Sequence, residues 1–167
     1  QVGNTTVTVS LANNESIKTT FKVTVTEKAA VPEPPVGDGT LTIDLKSIGA
    51  TEESLQTNVT ANINGFNFKA NDIKAVKGNI YFKAETGYIY NDSSLGNISK
   101  IELIYGTGGS KSAKQSVVIG SSVYDTKPSE YTQVISSSAA GNTGEVLAPE
   151  GSNNGFFRID VSNKNLQ

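Results

Sequence analysis

Between residues 59 and 106, apolar and polar side chains alternate in three blocks, and this alternation constrains the fold more than any other feature of the chain. A period of two residues is typical of a β-strand with one buried face, whereas an amphipathic helix repeats every 3.6 residues. The dipeptide Asn64-Gly65 divides the first block, and both residues tolerate the positive φ of a tight hairpin turn. The stretch therefore predicts a twisted antiparallel sheet around which the rest of the chain is arranged.

Further alternating runs lie on both sides of this stretch, including an opening run at 41–45 and a closing run at 156–161. About eight such runs occur, separated by turn signals every eight to twelve residues, which is typical of sandwiches and jelly rolls. The apolar share of only 36%, with abundant Ser, Thr, Asn and Gly, suits thin β layers joined by polar turns. We therefore predict an all-β fold, an antiparallel β-sandwich of jelly-roll-like form that follows a separate N-terminal β-hairpin.

A proline-rich segment, residues 29–39, divides the chain into two parts. Its sequence AAVPEPPVGDG favours extended polyproline geometry and predicts a semi-rigid linker. Residues 1–28 predict the hairpin, and residues 40–167 predict the sandwich domain. A lone hairpin is marginally stable in water, and Gln1 is not an initiator methionine, so we expect this chain to be a piece of a longer protein.

The N-terminal segment VGNTTVTVSLANNESIKTTFKVTVTEK resembles the last two strands of a bacterial immunoglobulin-like domain of group 2, which end in Gly-x-x-x-Val-Thr-Val and Lys-Val-Thr-Val. From residue 39 onward, the order of elements resembles a β-sandwich module found beside such domains in large secreted bacterial proteins. The matching features include Leu-Thr-Ile-Asp-Leu at 41–45 and the Asn-Gly hairpin. The resemblance implies a secreted or cell-surface bacterial protein with an adhesive or carbohydrate-binding role.

The residue types that are absent disfavour catalysis. Cysteine and histidine are both missing, so the chain has no thiol nucleophile, no Ser-His-Asp triad and none of the usual zinc ligand sets. The formal charge is −2 and the basic residues are spread singly, so we expect no nucleic-acid partner. No apolar run approaches the length of a transmembrane helix, so we expect no membrane insertion. These features predict a protein that is not an enzyme, while the resemblance described above implies that it acts outside the cell or at its surface.

A cluster of tyrosines gives the first candidate site. Tyr81, Tyr88 and Tyr90 are close in sequence, and Asn91 and Asp92 follow them. Exposed aromatic rings stack on pyranose rings, while amide and carboxylate groups orient sugar hydroxyls. These five residues predict a face that binds a glycan or a cell-envelope polysaccharide. Ordinary cross-strand pairing of sheet tyrosines is the competing interpretation, and the absence of tryptophan favours it.

Two further sites are weaker. Tyr124 and Tyr131 form a second aromatic patch. No cofactor is expected. The possible oxygen ligands occur singly, without EF-hand spacing, and suit Asx turns better than a calcium site. The sequence leaves open a structural calcium ion held between distant loops. Those oxygen donors are Asp38, Asp44, Asn71, Asp72, Asn91, Asp92 and Asp125.

Two other classes of function compete with glycan binding. A structural spacer or protein-adhesion module, on a surface fibre or a phage virion, would bind a surface protein and no small ligand. An exposed apolar patch or an unpaired edge strand would favour it. A glycoside hydrolase would need two carboxylates about 5 Å apart. Candidates are Glu85, Glu102, Glu130 and Glu145, although any chain with 16 acidic residues offers such pairs by chance.

Overall fold

The computed structural model describes residues 3–11, 14–25, 39–107, 112–150 and 154–166. Regular structure in these residues consists of twelve β-strands that pair antiparallel, which confirms the prediction of an all-β chain. The chain divides into two compact units, residues 1–32 and 33–167. In the described residues, no helix has the length and apolar character needed to cross a membrane.

The first unit contains one antiparallel hairpin, as predicted. Strand β1 (Gly3–Leu11) pairs with β2 (Asn14–Val25), and this pairing supplies the backbone hydrogen bonds among the described residues of this unit. On the exposed surface, the Thr24 hydroxyl donates a hydrogen bond to Asn4 Oδ1 over 2.7 Å. The predicted linker, except Gly39, lies outside the described residues.

In the second unit the structure describes ten strands, which form one six-stranded sheet and two two-stranded ladders. The strands are β3 (Val59–Ile63), β4 (Phe66–Asn71), β5 (Ile73–Val76), β6 (Asn79–Phe82), β7 (Tyr88–Asn91), β8 (Lys100–Ile104), β9 (Lys114–Gly120), β10 (Gln133–Ser136), β11 (Thr143–Leu147) and β12 (Phe156–Ser162). Six of them form a sheet in the order β10-β9-β12-β7-β4-β3, and the others form the two-stranded ladders β11-β8 and β5-β6. The last strand, β12, lies in the middle of the sheet between β9 and β7.

Two turns fix the register of neighbouring strands. Asn64 and Gly65 form the predicted turn between β3 and β4, with φ of 52° and 89°. Lys77 and Gly78 form an equivalent turn between β5 and β6, with φ of 50° and 79°. Sequence reasoning missed β5, although its apolar residues alternate and Lys-Gly follows them.

The predicted opening strand at 41–45 is wrong. These residues form no β-strand, and residues 45–49 form a turn. Asp44 Oδ1 accepts the Ser47 N–H over 2.7 Å, and the Ser47 hydroxyl donates to the Asp44 carbonyl over 3.0 Å. Such local side-chain bonds compete with a strand ladder. The alternating apolar side chains of this segment nevertheless pack against the core.

The core lies between the inner face of the six-stranded sheet and the two ladders, an arrangement consistent with a β-sandwich. The sheet contributes Phe66, Phe68, Ala70, Ile89, Val117, Ile119, Phe157 and Ile159, and the ladders contribute Ile73, Ala75 and Val146. Phe68 and Phe157 meet at a ring-centroid distance of 6.2 Å. Since successive side chains of a strand point to opposite faces, Arg158 and Asp160 must lie on the outer face of the sheet.

Asn91 fastens the end of β7 to the start of β12. Its side chain is fully buried on the inner face. Nδ2 donates to the carbonyl oxygens of Ser93 and Gly155, each over 2.8 Å, and Oδ1 accepts the Phe157 N–H over 2.7 Å. One amide thus satisfies three backbone groups where the β7-β12 ladder ends.

Replacing Asn91 tests this role. Asn91→Ala should lower the free energy of unfolding by about 1–3 kcal/mol, because the Phe157 N–H loses its Asn91 partner, whereas the Gly155 carbonyl still accepts the Leu95 N–H over 2.9 Å. Urea unfolding measures the change, with Asn142→Ala as the control because Asn142 is exposed. Equal stability of the two variants would show that water replaces the Asn91 amide.

Candidate functional site

The outer face of the six-stranded sheet carries its side chains in rows set by the strand register. One row contains Val118, Arg158, Tyr90, Lys69 and Thr60. The adjacent row contains Ser116, Asp160, Tyr88 and Asn71. Because neighbouring rows are two residues apart along each strand, the register places one arginine among two tyrosines and a carboxylate.

Arg158 is the centre of this arrangement and is only 4% exposed. Its Nε and Nη2 donate to the carboxylate of Asp160 over 2.9–3.0 Å, in the fork geometry that makes an arginine–carboxylate pair strong. Its guanidinium carbon lies 4.0 Å from the ring centroid of Tyr88 and 5.7 Å from that of Tyr90. The buried guanidinium is therefore paired with a carboxylate along its edge, and an aromatic ring lies over its face.

The same guanidinium also holds the loop at 121–132. Arg158 Nη1 donates to the carbonyl oxygens of Tyr124 and Asp125, over 3.1 Å and 3.2 Å. Near the other end of the loop, the Tyr131 hydroxyl donates to Asp160 Oδ2 over 3.0 Å. Since Arg158 and Asp160 bind each other, the two ends of the loop are fastened to one ion pair on β12.

Tyr131 has a strongly perturbed ionisation. Burial, together with the neighbouring charge of Asp160 and the hydrogen bond to it, raises the pKa of Tyr131 to about 12. The hydroxyl therefore keeps its proton at neutral pH and continues to donate to the carboxylate.

The fastened loop borders a wide, open depression of about 530 Å³ beside β9, which we call the loop pocket. The residues that line it are Val118, Val123, Tyr124, Thr126, Pro128, Ser129, Glu130, Tyr131 and Thr132. Its size lies within the range of small-ligand sites, and its lining combines two tyrosines with three serine or threonine residues and one glutamate. Gly120 lets the Tyr124 hydroxyl lie against β9, because a Cβ at that position would collide with it.

The structure does not bring the five residues of the first candidate site together. Tyr81 lies on β6 in a separate ladder, with Lys74 Nζ 5.3 Å from its ring centroid. Tyr88 and Tyr90 are neighbours, at a centroid distance of 6.1 Å. Tyr90, however, is only 6% exposed, and Arg158 stacks on Tyr88.

Of the two polar members of that site, one remains partly exposed. Asn91 is committed to the backbone bonds described above. Asp92 has a side chain that is 27% exposed, and its Oδ2 lies 3.6 Å from Lys69 Nζ. Its Oδ1 is buried and has no hydrogen-bond partner among the described residues.

The second, weaker aromatic patch is the one that lines a pocket. Tyr124 and Tyr131 both belong to the loop pocket. Sequence reasoning missed the roles of Arg158 and Asp160. Their i, i+2 spacing, on a strand whose alternate residues are apolar, already indicates that both charges lie on one face of a sheet.

Of the carboxylates considered for hydrolysis, Glu130 lines the loop pocket, whereas Glu102 and Glu145 pair on a separate ladder. Glu102 on β8 is directly opposite Glu145 on β11, and Lys100 Nζ lies 3.2 Å from one carboxylate and 3.3 Å from the other. The hydrogen bonds to both carboxylates raise the pKa of Lys100. All three side chains are about half exposed, so this is a solvated ion-pair network on a sheet surface. In the part of the chain that the structure describes, no three acidic residues converge on a metal position.

No protein-family model, curated protein or solved structure matches this chain. Any function must therefore be argued from the chemistry of the site.

Alkaline titration tests the loop attachment. In the folded protein Tyr131 should ionise near pH 12, whereas an unperturbed tyrosine ionises near 10. The raised pKa contributes stability that is complete below about pH 10 and is lost as the pH rises toward about 12. Burial also raises the pKa of Tyr81, Tyr90 and Tyr105, so the tyrosinate absorbance of Tyr131→Phe must be subtracted from that of the wild type. A difference curve centred at pH 10 would contradict the attachment.

Proposed function

We propose that this chain is a non-catalytic binding module that recognises carbohydrate through the loop pocket, as part of a secreted or cell-surface bacterial protein. The observation that carries the proposal is the lining of the pocket, in which two tyrosines and three serine or threonine residues border one open space of about 530 Å³. Sugars present apolar C–H faces and rings of hydroxyl groups, and this lining offers a partner for each.

The polar groups of the pocket suit hydroxyl recognition. Thr126 and Ser129 can each donate and accept hydrogen bonds. The Thr132 hydroxyl accepts the Ile119 N–H over 2.9 Å, so its own proton is free to be donated to a ligand. Glu130 accepts from ligand hydroxyls. A pocket with this mixture binds a polyol without needing a catalytic group.

The rigidity of the pocket supports affinity. A loop that must be ordered when a ligand binds loses conformational entropy, which weakens binding. Here Arg158 and Asp160 hold the loop from both ends, so its shape exists before a ligand arrives. The buried ion pair is thus a positioning element, and the ligand contacts belong to the loop.

The proposal is tested by titrating the full chain with a panel of soluble polysaccharides and oligosaccharides in a calorimeter. Saturable binding is expected for at least one of them. Tyr124→Ala should weaken that binding about tenfold, because a stacking ring is lost. Tyr81→Ala is the matched control, since Tyr81 lies on a separate ladder and should leave the affinity unchanged. No binding across the panel, or an equal loss in both variants, would contradict the proposal.

A second candidate, protein adhesion without a small ligand, rests on two separate exposed apolar side chains and not on a continuous apolar patch. Ile104 is 77% exposed and Leu147 is 61% exposed, both on the ladder β11-β8. They lie at opposite ends of the ladder, because Ile104 is opposite Thr143 and Leu147 is opposite Lys100. Failure of the whole glycan panel, together with self-association that Ile104→Ser abolishes, would favour this candidate.

A further inference from the structure

We propose that the loop pocket selects a sugar carrying a free, positively charged amino group, in preference to its N-acetylated or acidic counterpart. This inference rests on the proposed carbohydrate-binding function of the same pocket, and it names the ligand class within it. The feature that carries it is Glu130, which bears the sole formal charge among the residues lining the pocket at neutral pH.

Among the described residues, no cation pairs with Glu130. The side chain is exposed, and it makes no hydrogen bond or ion pair with the other described residues. Arg158, which lies beneath the loop, is 4% exposed and engages Asp160 and two backbone carbonyls. Lys127 belongs to the loop but does not line the pocket, and Asp125 lies in the same loop with the opposite charge. The pocket therefore presents a negative site to a ligand.

An ammonium group gains two interactions at such a site. It pairs with the Glu130 carboxylate, and it is attracted to the faces of the tyrosine rings beside it. An N-acetyl group gains neither attraction, since it carries no charge. A uronic acid would bring a second carboxylate to Glu130 without a cation between them, so acidic glycans are disfavoured.

The test compares oligosaccharides that differ only in the amino group. Glucosamine and N-acetylglucosamine oligomers of the same length and linkage, with a uronic acid oligomer of the same length, are titrated into the full chain at about pH 6, where the amine is protonated and an ordinary glutamate is ionised. The free-amine oligomer should bind about tenfold more tightly than the N-acetylated one. The preference should shrink at high salt, because exposed charge pairs are screened.

Glu130→Gln keeps the shape of the side chain and removes its charge. In this variant the two amino-sugar oligomers should bind with nearly equal affinity, while Glu53→Gln, an exposed carboxylate away from the pocket lining, should retain the wild-type preference. Equal or tighter binding of the N-acetylated oligomer by the wild type, or an unchanged preference in Glu130→Gln, would overturn the amine inference and leave carbohydrate binding standing. Absence of binding by any neutral, cationic or acidic sugar would overturn both.

Discussion

The ion pair between Arg158 and Asp160 is the interaction on which the outer half of this domain depends. A charged side chain in the centre of a sheet is unfavourable unless its charge and its hydrogen-bonding groups are satisfied. Asp160 supplies the opposite charge from the same strand, two loop carbonyls accept from Nη1, and Tyr88 covers the guanidinium face. The loop at 121–132 thus shields the buried ion pair from solvent and accepts hydrogen bonds from it. The loop pocket forms because the loop is held in this position.

The two faces of the six-stranded sheet consequently differ in role. The inner face is largely apolar and packs on the ladders, and the fully buried Asn91 amide bonds backbone groups where the β7-β12 ladder ends. The outer face carries the charged network and the loop. Stability therefore depends chiefly on the inner face, and ligand recognition, as proposed, on a loop that the outer face holds in place.

Much of the fold could be predicted from the alternation of side chains, and the site only in part. The period of two residues and the Asn64-Gly65 turn define the strands around them, because both are local properties. The alternation at residues 41–45 predicted a strand that does not form, because the local Asp44–Ser47 hydrogen bonds hold the chain in a turn while its apolar side chains still pack on the core. Periodicity also placed Tyr88 on a sheet face but could not show that Arg158 covers it. That contact depends on the order of strands in the sheet, which no local pattern contains.

The most direct measurement is the backbone order of residues 121–132 by ¹⁵N relaxation in the wild type and in Arg158→Lys. Lysine keeps the charge and can pair with Asp160, but it lacks the planar fork that reaches the Tyr124 and Asp125 carbonyls. We expect loop order parameters of about 0.85 in the wild type and below about 0.6 in the variant, with the strands of the sheet unchanged. Unchanged loop order in a folded Arg158→Lys variant would contradict the claim that this ion pair builds the pocket.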